Sequence, residues 1–312
     1  MQNFALLWYN NKARNNLKAN NQNQIKGAIH MARKKEDTVE LKDVNFDNLA
    51  DYIYEQASDN SNEIEIPAFF DHPMKSGLSF VDYVLGDQGF FPTQSTILTG
   101  DPGCGKTTLT LQIADALRGH GTRVAFASCE MRKEMVSRFQ KRLGAEHNID
   151  IITDKWVDLP SGKRVNVPFA SSVPHLIESA NRLRAKHPDQ PFMLIVDSLQ
   201  ELDDGYFKSG RKTSRTAYRA MDALNEWAKE TECGIIVIGQ VTKDGKMAGS
   251  NDIKHLIDAH LHISIETKDE DLRGARILEA TKNRFAGCGQ IVFMRIGQRG
   301  FSELARISDG GL

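Results

Sequence analysis

The chain has 312 residues, of which 40% are hydrophobic and 26% are charged, and its formal net charge is −1 at pH 7. This composition predicts a folded protein with a substantial core, and it excludes a wholly disordered chain and a uniformly basic nucleic-acid binder. Apolar runs such as residues 192–196 are far shorter than the roughly 20 residues that span a bilayer, so we expect a soluble, cytoplasmic protein with no membrane contact. The four cysteines are scattered without a C-x-x-C pair, which argues against a zinc module or a disulfide framework.

Residues 1–65 are predicted to form an N-terminal extension. The first 35 or so are rich in Asn and weakly periodic, as is typical of a mobile tail, and Met31 is a candidate natural start. Apolar residues then recur at helical spacing from Phe46 to Ile53, which predicts one amphipathic helix, followed by the linker "ASDNSNEIE". This helix could dock on a neighbouring subunit or pack on its own domain.

Residues 66–305 alternate apolar strands with helices. The strands are "STILTG", "RVAFAS", "PFMLIVDS" and "GIIVIGQ", and the helices are "KTTLTLQIADALRGHG", "EMRKEMVSRFQKRLG" and "SRTAYRAMDALNEWAKETE". Three further segments, "AHLHISIE", "ARILEATK" and "QIVFMRIG", alternate like antiparallel or mixed strands. We therefore predict an α/β fold with a mostly parallel central sheet, helices on both faces and a β-rich C-terminal end. "KWVDLPSGKRVNVPF" predicts an extra hairpin, and residues 306–312 a flexible tail.

A phosphate-binding loop lies between the first strand and the first helix of this core. The stretch "GDPGCGKTT" satisfies G-x-x-x-x-G-K-[ST] in the structural context that gives the motif its meaning. Its backbone amides and the helix N-terminus are expected to enclose the phosphates of ATP, with Lys106 as a point charge and the Thr107 hydroxyl as a Mg2+ ligand. Cys104 could be oxidised there, although space-filling is the preferred interpretation. The predicted nucleotide-binding residues of the loop are Gly100, Asp101, Pro102, Gly103, Cys104, Gly105, Lys106, Thr107 and Thr108.

Three polar residues close the neighbouring strands. Asp197 ends "PFMLIVD" and is expected to hold the Mg2+ shell and contribute to nucleotide binding, with capping of the following helix as the alternative. Glu130 follows "RVAFASC" and is the candidate base that deprotonates the attacking water, or else a residue that favours a helix N-terminus. Gln240 ends "GIIVIGQ" and is interpreted as a γ-phosphate sensor.

Several stretches together resemble the ATPase core of the bacterial RadA (Sms) recombination proteins, within the RecA and DnaB group. They are "GDPGCGKTT", "FASCEM", "IVDSLQ", "GQVTKDGKMAGSNDIKHLIDAHLHI" and "RILEATKNRF", in that order, and the resemblance covers roughly residues 74 to 300. The sequence departs from the family in three ways. The family's four-Cys zinc module and its Lon-protease-like domain are both expected to be missing, and Ala286 separates K-N-R-F from Gly287.

The resemblance implies a RecA-like fold and an ATP-driven DNA translocase that forms a ring, expected to be a hexamer, with ATP at the subunit interfaces. It also implies that Lys282 and Arg284 reach from one subunit to the γ-phosphate bound by its neighbour, as an arginine finger does. Alternation in an extended segment would point both side chains to one face, with Asn283 on the other. The alternative is a solvated basic pair at a strand end.

Two basic segments are candidates for DNA binding. "GYFKSGRKTSRTAYRAM" interleaves cations with aromatics and contains no acid, a combination used to bind single strands, although a solvated helix entry would have the same composition. "TKDGKMAG" follows Gln240, and the resemblance implies that both segments face the centre of a ring. The candidate DNA-binding residues are Lys208, Arg211, Lys212, Arg215, Lys243 and Lys246.

His255, His260 and His262 cluster in sequence, but no carboxylate or cysteine stands at ligand spacing, so we interpret them as structural. Three functions are left open. The leading one is a DNA-dependent ATPase of the RadA type, a helicase or branch-migration protein that works with recombination or replication proteins. The others are a replicative ring helicase of the DnaB type and a RecA-like regulatory ATPase that acts on a protein partner without DNA.

Overall fold

The computed structural model describes residues 71–205, 213–240 and 252–307. The predicted N-terminal extension with its helix lies outside the described residues, as do most of the two basic segments. The described residues belong to one compact unit, Pro67–Leu312.

A nine-stranded sheet forms the centre of this unit, with the strand order β11-β10-β9-β8-β1-β7-β6-β2-β3. Neighbours from β8 to β3 run parallel, whereas β8, β9, β10 and β11 pair antiparallel in sequence. Its strands are β1 (Ser95–Gly100), β2 (Arg123–Ser128), β3 (Asp150–Thr153), β6 (Phe192–Asp197), β7 (Gly234–Ile238), β8 (Ala259–Ile265), β9 (Arg276–Asn283), β10 (Ile291–Gly297) and β11 (Gly300–Ile307). The predicted hairpin is present as a separate two-stranded sheet of β4 (Lys155–Asp158) and β5 (Arg164–Val167).

Helices cover both faces of the sheet. They are α1 (Ser79–Val84), α2 (Lys106–Gly119), α3 (Lys133–Leu143), α4 (Val173–Arg184), α5 (Ser214–Thr231) and α6 (Ile253–Leu256), with a 3₁₀ turn at Leu199–Glu201. Strand β6 is buried throughout: Met193 and Ile195 join the core around α2, and Leu194 and Val196 join the core under α4 and α5. Two-sided burial explains why the central strands are continuous apolar runs in the sequence, and it confirms the predicted α/β layering.

Sequence patterns missed five elements, namely β3, β11, α1, α4 and α6. Helices α1 and α6 have only 6 and 4 residues, too few to show a clear helical period. β3 has only 4 residues, and β11 buries only Gly300 and Phe301, so neither carries much hydrophobic periodicity. α4 starts beside Pro174 in a segment where the pattern gave no expectation. Because β11 ends at Ile307, the first two residues of the predicted tail, 306–307, are part of a strand. Among the described residues no helix is long and apolar enough to cross a membrane.

Candidate nucleotide-binding site

The carboxyl edge of the parallel strands gathers the residues predicted to bind and hydrolyse a nucleotide. β1 ends at Gly100, β6 ends at Asp197 and β7 ends at Ile238, two residues before Gln240. Ser128, the last residue of β2, pairs with Asp197, which brings the following Glu130 to the same edge. Parallel strands present their carboxyl ends together, so residues far apart in sequence converge here.

The phosphate loop is shaped by two glycines in the left-handed region. Gly103 has φ +80° with open space where a Cβ would stand, and Gly105 has φ +106°. A Cβ on Gly105 would lie 2.6 Å from the Phe301 ring, so only glycine lets the loop pack this closely against β11. The Lys106 ammonium donates to the carbonyls of Gly100 (2.7 Å) and Asp101 (3.0 Å), which places its charge over the loop.

Cys104 lies inside the loop but points into the core, where its side chain is fully buried. Burial raises the pKa of its thiol. A buried thiol with a raised pKa is a poor nucleophile, which supports the space-filling interpretation over a redox role.

Thr107 and Asp197 form the pair expected of a cation site. The Thr107 hydroxyl donates to Asp197 Oδ2 at 2.7 Å, across 90 residues of sequence. Burial, reinforced by the nearby Glu130 carboxylate and opposed by the Thr107 hydrogen bond, raises the pKa of Asp197 to about 6. A divalent cation would favour the charged carboxylate, because an opposite charge within a few ångströms lowers a carboxyl pKa.

Glu130 is exposed beside this pair and accepts a hydrogen bond from Ser198 Oγ at 3.0 Å. The next helix begins only at Lys133, so the structure does not support Glu130 as a residue of the helix N-terminus. The Asp197–Ser198 peptide bond is cis. Sequence reasoning missed Ser198, because a serine after a strand carries no signal of its own.

Gln240 is exposed at the end of the described segment 213–240. Its backbone N–H donates to Gln200 Oε1 at 3.2 Å, which ties the end of β7 to the turn after β6. Its role as a γ-phosphate sensor stays a prediction.

The residues present fit a magnesium nucleotide. The loop offers open space at Gly103, the N–H groups of the first turn of α2 and a lysine ammonium, all suited to phosphate. The Thr107 hydroxyl and Asp197 carboxylate offer the oxygen ligands that Mg2+ prefers.

Lys282 and Arg284 lie side by side at the opposite side of the sheet, where the parallel strands begin. Lys282 Nζ donates to the carbonyls of Lys254 and Ile257, both at 2.6 Å, and Arg284 Nη2 donates to His255 O at 3.1 Å. Both side chains therefore contact the C-terminal end of α6, as expected from their predicted common face. Burial and the neighbouring Arg284 charge lower the pKa of Lys282.

Arg284 is anchored by an acid that sequence reasoning did not single out. Its Nη1 contacts Asp258 Oδ1 at 3.0 Å, and Asp258 Oδ2 accepts from the Ser95 N–H (2.9 Å) and hydroxyl (3.0 Å). Ser95 begins β1, whereas the phosphate loop follows the end of β1 at Gly100. At ~3.3 Å per residue the strand separates them by roughly 17 Å, so Arg284 is remote from the nucleotide loop of its own chain.

The turn after K-N-R-F is held by two contacts. Phe285 stacks on Phe91 with ring centroids 4.8 Å apart. Ala286 packs against Gly86, where a Cβ would come within 2.4 Å of the Ala286 Cβ. Ala286, at which this sequence departs from the family pattern, therefore packs closely against Gly86.

Of the candidate DNA-binding residues, Lys208, Arg211, Lys212, Lys243 and Lys246 lie outside the described residues. Arg215 is exposed in the first turn of α5, which Thr213 caps. Arg219, in the same basic stretch, pairs with the buried Asp204 at 2.5 Å. This ion pair joins the two flanks of the segment 206–212.

Two of the three histidines, His260 and His262, share a hydrogen-bonded cluster with Thr99 and Thr281. Thr99 Oγ1 lies 2.7 Å from His260 Nε2 and 2.9 Å from His262 Nδ1, and Thr281 Oγ1 lies 2.7 Å from His260 Nδ1. Burial, then the charges of His262, Lys254 and Lys282, lower the pKa of His260 to about 4. Among the described residues, no group of three or more acidic, His or Cys side chains is arranged to hold a metal ion.

Comparison with known proteins places this site in a family. The AAA domain model matches residues 60–246, more than half of the chain. The DNA repair protein RadA of Brucella abortus is 30% identical over 75% of this chain and 46% of its own length. RadA of Mycobacterium tuberculosis is 30% identical over 70% of this chain and 41% of its length. The chain therefore spans less than half the length of these curated relatives.

Solved structures share the fold. One solved ATPase domain superposes with a TM-score of 0.62 at 15% identity, covering 84% of this chain and 100% of that domain. A KaiC-like protein from Pyrococcus horikoshii superposes with a TM-score of 0.57 at 18% identity, covering 75% of this chain and 99% of its own. These likenesses confirm the predicted RecA-like α/β core.

Proposed function

Because the chain belongs to the AAA domain family and has a RadA-like core of the RecA/DnaB type, we propose that it is an ATP-driven motor on single-stranded DNA, a helicase or branch-migration protein of recombination or replication. It would work in the cytoplasm as a ring, with six subunits as the expected number. The roles below extend the family assignment to the residues of this chain.

Nucleotide binding rests on the phosphate loop. Its amides, the N-terminus of α2 and the Lys106 ammonium would bind the β- and γ-phosphates, and Thr107 and Asp197 would hold Mg2+. Bound Mg2+ would neutralise charge on the phosphate oxygens.

Hydrolysis requires a group that orients and deprotonates water. Glu130 is exposed at this edge, and Ser198 positions its carboxylate through the 3.0 Å hydrogen bond. Gln240, at the end of β7, would sense the γ-phosphate.

The proposed trans-acting role of Lys282 and Arg284 is supported by their distance from the phosphate loop of their own chain. Arg284 is bound to Asp258 at the start of β1, and Lys282 sits against α6, so neither approaches the loop of its own chain. A role on a γ-phosphate therefore requires the nucleotide of a second subunit. Composite sites of this kind support a closed ring.

The proposal of a DNA motor is supported mainly by the position of the two basic segments, each of which follows a strand that ends at the nucleotide site. The strand that ends at Asp197 leads into the segment with Lys208, Arg211, Lys212 and Arg215, and the strand before Gln240 leads into Lys243 and Lys246. Loss of a γ-phosphate at this edge would be transmitted directly to the residues that contact DNA.

The test measures ATPase rate and oligomeric state with and without a single-stranded oligonucleotide. We expect DNA stimulation, salt-sensitive binding, and loss of both when Lys208, Arg211, Lys212 and Arg215 become Ala, with basal hydrolysis retained. A control that removes two other exposed cations, Arg182 on α4 and Lys186 just after it, should behave as wild type.

Absence of DNA binding in the wild type would overturn the motor and favour a regulatory ATPase acting on a protein partner. Unwinding of forks without activity on recombination intermediates would favour a DnaB-type replicative helicase over the RadA-type role.

A further inference from the structure

The hairpin of β4 and β5 lies outside the hydrophobic core of the described residues. It rises from Thr153 at the carboxyl edge of β3 and forms its own sheet, and neither hydrophobic core cluster includes any of residues 155–167. All four residues of β4 are exposed. A segment that buries so little of its own surface adds little to stability, and its side chains are open to contact with another molecule.

The hairpin exposes an aromatic ring that shares its face with an arginine. Trp156 is 55% exposed, well above what a core tryptophan shows, and it pairs with Asn166. Alternation along the strands places Arg164, the partner of Asp158, on the same face as Trp156. The ion pair of Arg164 and Asp158 is 3.6 Å long and exposed at both ends, so it leaves the arginine available to another anion.

The charge of the hairpin favours a polyanion. Lys155, Lys163 and Arg164 outnumber Asp158, the acid within residues 155–167, although the whole chain is close to neutral. An exposed tryptophan with an arginine on the same face of a basic hairpin is an arrangement that can stack on bases and bind the phosphates of a single strand.

The base of the hairpin is fastened to the start of the basic segment. Asp154 accepts from the Ala170 and Ser171 N–H groups at 2.8 and 3.0 Å, which closes the hairpin. Asp203 N–H then donates to Ser171 O at 2.7 Å, and Val173 N–H donates to Asp203 O at 2.9 Å. Residue 203 stands just before the segment that carries Lys208, Arg211 and Lys212. The base of the hairpin and Asp203, which precedes the basic segment in sequence, are therefore joined by backbone hydrogen bonds.

We propose that the β4–β5 hairpin is a second contact for single-stranded DNA, with Trp156 stacking on a base and Lys163 and Arg164 binding flanking phosphates. This inference rests on the proposed function, because it extends the path of DNA from the basic segment onto the hairpin. Nucleotide identity would be read weakly, since every base has a face on which an indole can stack.

Binding of a labelled oligothymidylate, followed by fluorescence anisotropy, tests the proposal. Trp156→Ala should weaken binding roughly 5- to 100-fold, Trp156→Phe should restore most of it, and ATPase without DNA should be unchanged. Leu304→Ala, at a side chain 42% exposed on β11, is the matched control for loss of exposed apolar surface and should bind as wild type. Lys163→Ala combined with Arg164→Ala should reduce the salt dependence of binding.

A second measurement follows the fluorescence of the Trp156 indole directly. In a Trp8→Phe background the remaining tryptophans are Trp156 and Trp227, and Trp227 is only 4% exposed. DNA should quench the emission of this protein, and the quenching should disappear with Trp156→Ala.

The outcomes separate the two proposals. Wild-type affinity in Trp156→Ala, without quenching in the Trp8→Phe protein, overturns the hairpin contact and leaves the DNA motor standing. A wild type that does not bind DNA overturns both. Altered oligomeric state in Trp156→Ala with unchanged DNA affinity identifies the hairpin as a contact between copies of the chain and also overturns the proposal.

Discussion

At the residue scale, two carboxylates at one edge of the sheet have different surroundings. Asp197 is 6% exposed and accepts a hydrogen bond from Thr107, whereas Glu130 is exposed and accepts a hydrogen bond from Ser198. A buried carboxylate suits a fixed cation, and an exposed one suits exchange of protons with water. These different environments fit the different roles proposed for two groups of the same chemistry.

Substitutions in this site should separate binding from turnover. We expect Lys106→Ala to abolish hydrolysis, because the loop loses its point charge for the phosphates. Glu130→Gln should bind ATP normally and lose turnover by about 10²- to 10⁴-fold, since an amide cannot take a proton. Glu134→Gln, an exposed acid in the first turn of α3, is the control. Steady-state ATPase and nucleotide-binding assays measure both quantities, and normal hydrolysis in Glu130→Gln would remove it from the base role.

His260 predicts a pH dependence of stability. Its pKa is about 4 in the folded protein and 6.5 in a model peptide, so between these values the unfolded state binds more protons. Folding stability should therefore rise with pH through this window, and as pH falls from 6.5 to 4 the wild type should lose up to about 3 kcal/mol relative to His260→Gln. Urea unfolding at a series of pH values measures the difference. Parallel curves for the two proteins would show that His260 does not titrate in this way.

At the element scale, the last strand holds the nucleotide loop in place. The Gln112 side chain of α2 accepts from Phe301 N–H at 2.8 Å and donates to Phe301 O at 2.9 Å, as a neighbouring strand would. The Phe301 ring packs against Gly105. β11, which sequence patterns missed, therefore supports the loop that sequence patterns identified most securely.

The turn after β9 depends on a contact between two small residues. Gly86→Ala should destabilise the protein by about 1–3 kcal/mol, because the new Cβ would approach Ala286 to 2.4 Å at φ +73°. Gly144→Ala, at φ +74° with nothing within 4 Å, carries the backbone strain alone and should cost less. Adding Ala286→Gly should restore part of the stability lost in Gly86→Ala. Thermal unfolding of these variants measures the coupling, and equal losses for Gly86→Ala and Gly144→Ala would contradict it.

At the scale of the whole molecule, the two halves of the proposed catalytic machinery lie at opposite edges of one sheet. Glu130 and Asp197 are at the carboxyl edge with the phosphate loop, and Lys282 and Arg284 are at the amino edge beside α6. A single chain cannot bring the two edges together, because the sheet between them is a packed core. Assembly of identical chains is the simple way to combine them.

Mixing of inactive subunits tests this arrangement. A Lys106→Ala subunit still has the proposed trans-acting pair, and an Arg284→Ala subunit still has an intact phosphate loop. In an equal mixture, roughly one quarter of the interfaces should combine an intact loop with an intact pair, and ATPase activity should return at those interfaces. Lys282→Ala should be mixed with Lys106→Ala in the same way, because Arg284→Ala also removes the ion pair with the buried Asp258. Mixing Lys106→Ala with the double variant Lys106→Ala/Arg284→Ala should give no recovery. A monomeric wild type and no recovery in any mixture would rule out catalysis across an interface.

The sequence by itself determined the local chemistry of this protein. Periodicity predicted the central strands β1, β2, β6 and β7 and the long helices α2, α3 and α5, because local spacing decides which side chains can be buried. The sequence also predicted the hairpin within residues 155–169. The phosphate loop was predictable because the residues of its motif are close in sequence, and Asp197 because it ends an apolar strand.

Only the tertiary structure decided how distant segments meet. The Asp258 anchor of Arg284, the support of Gly105 by Phe301 and the attachment of the hairpin to Asp203 each join residues that local patterns do not relate. The placement of Lys282 and Arg284 against α6 likewise depends on the antiparallel return of β9 along β8. Such contacts arise from strand order, which no local periodicity encodes, and they place the cationic pair and the phosphate loop at opposite edges.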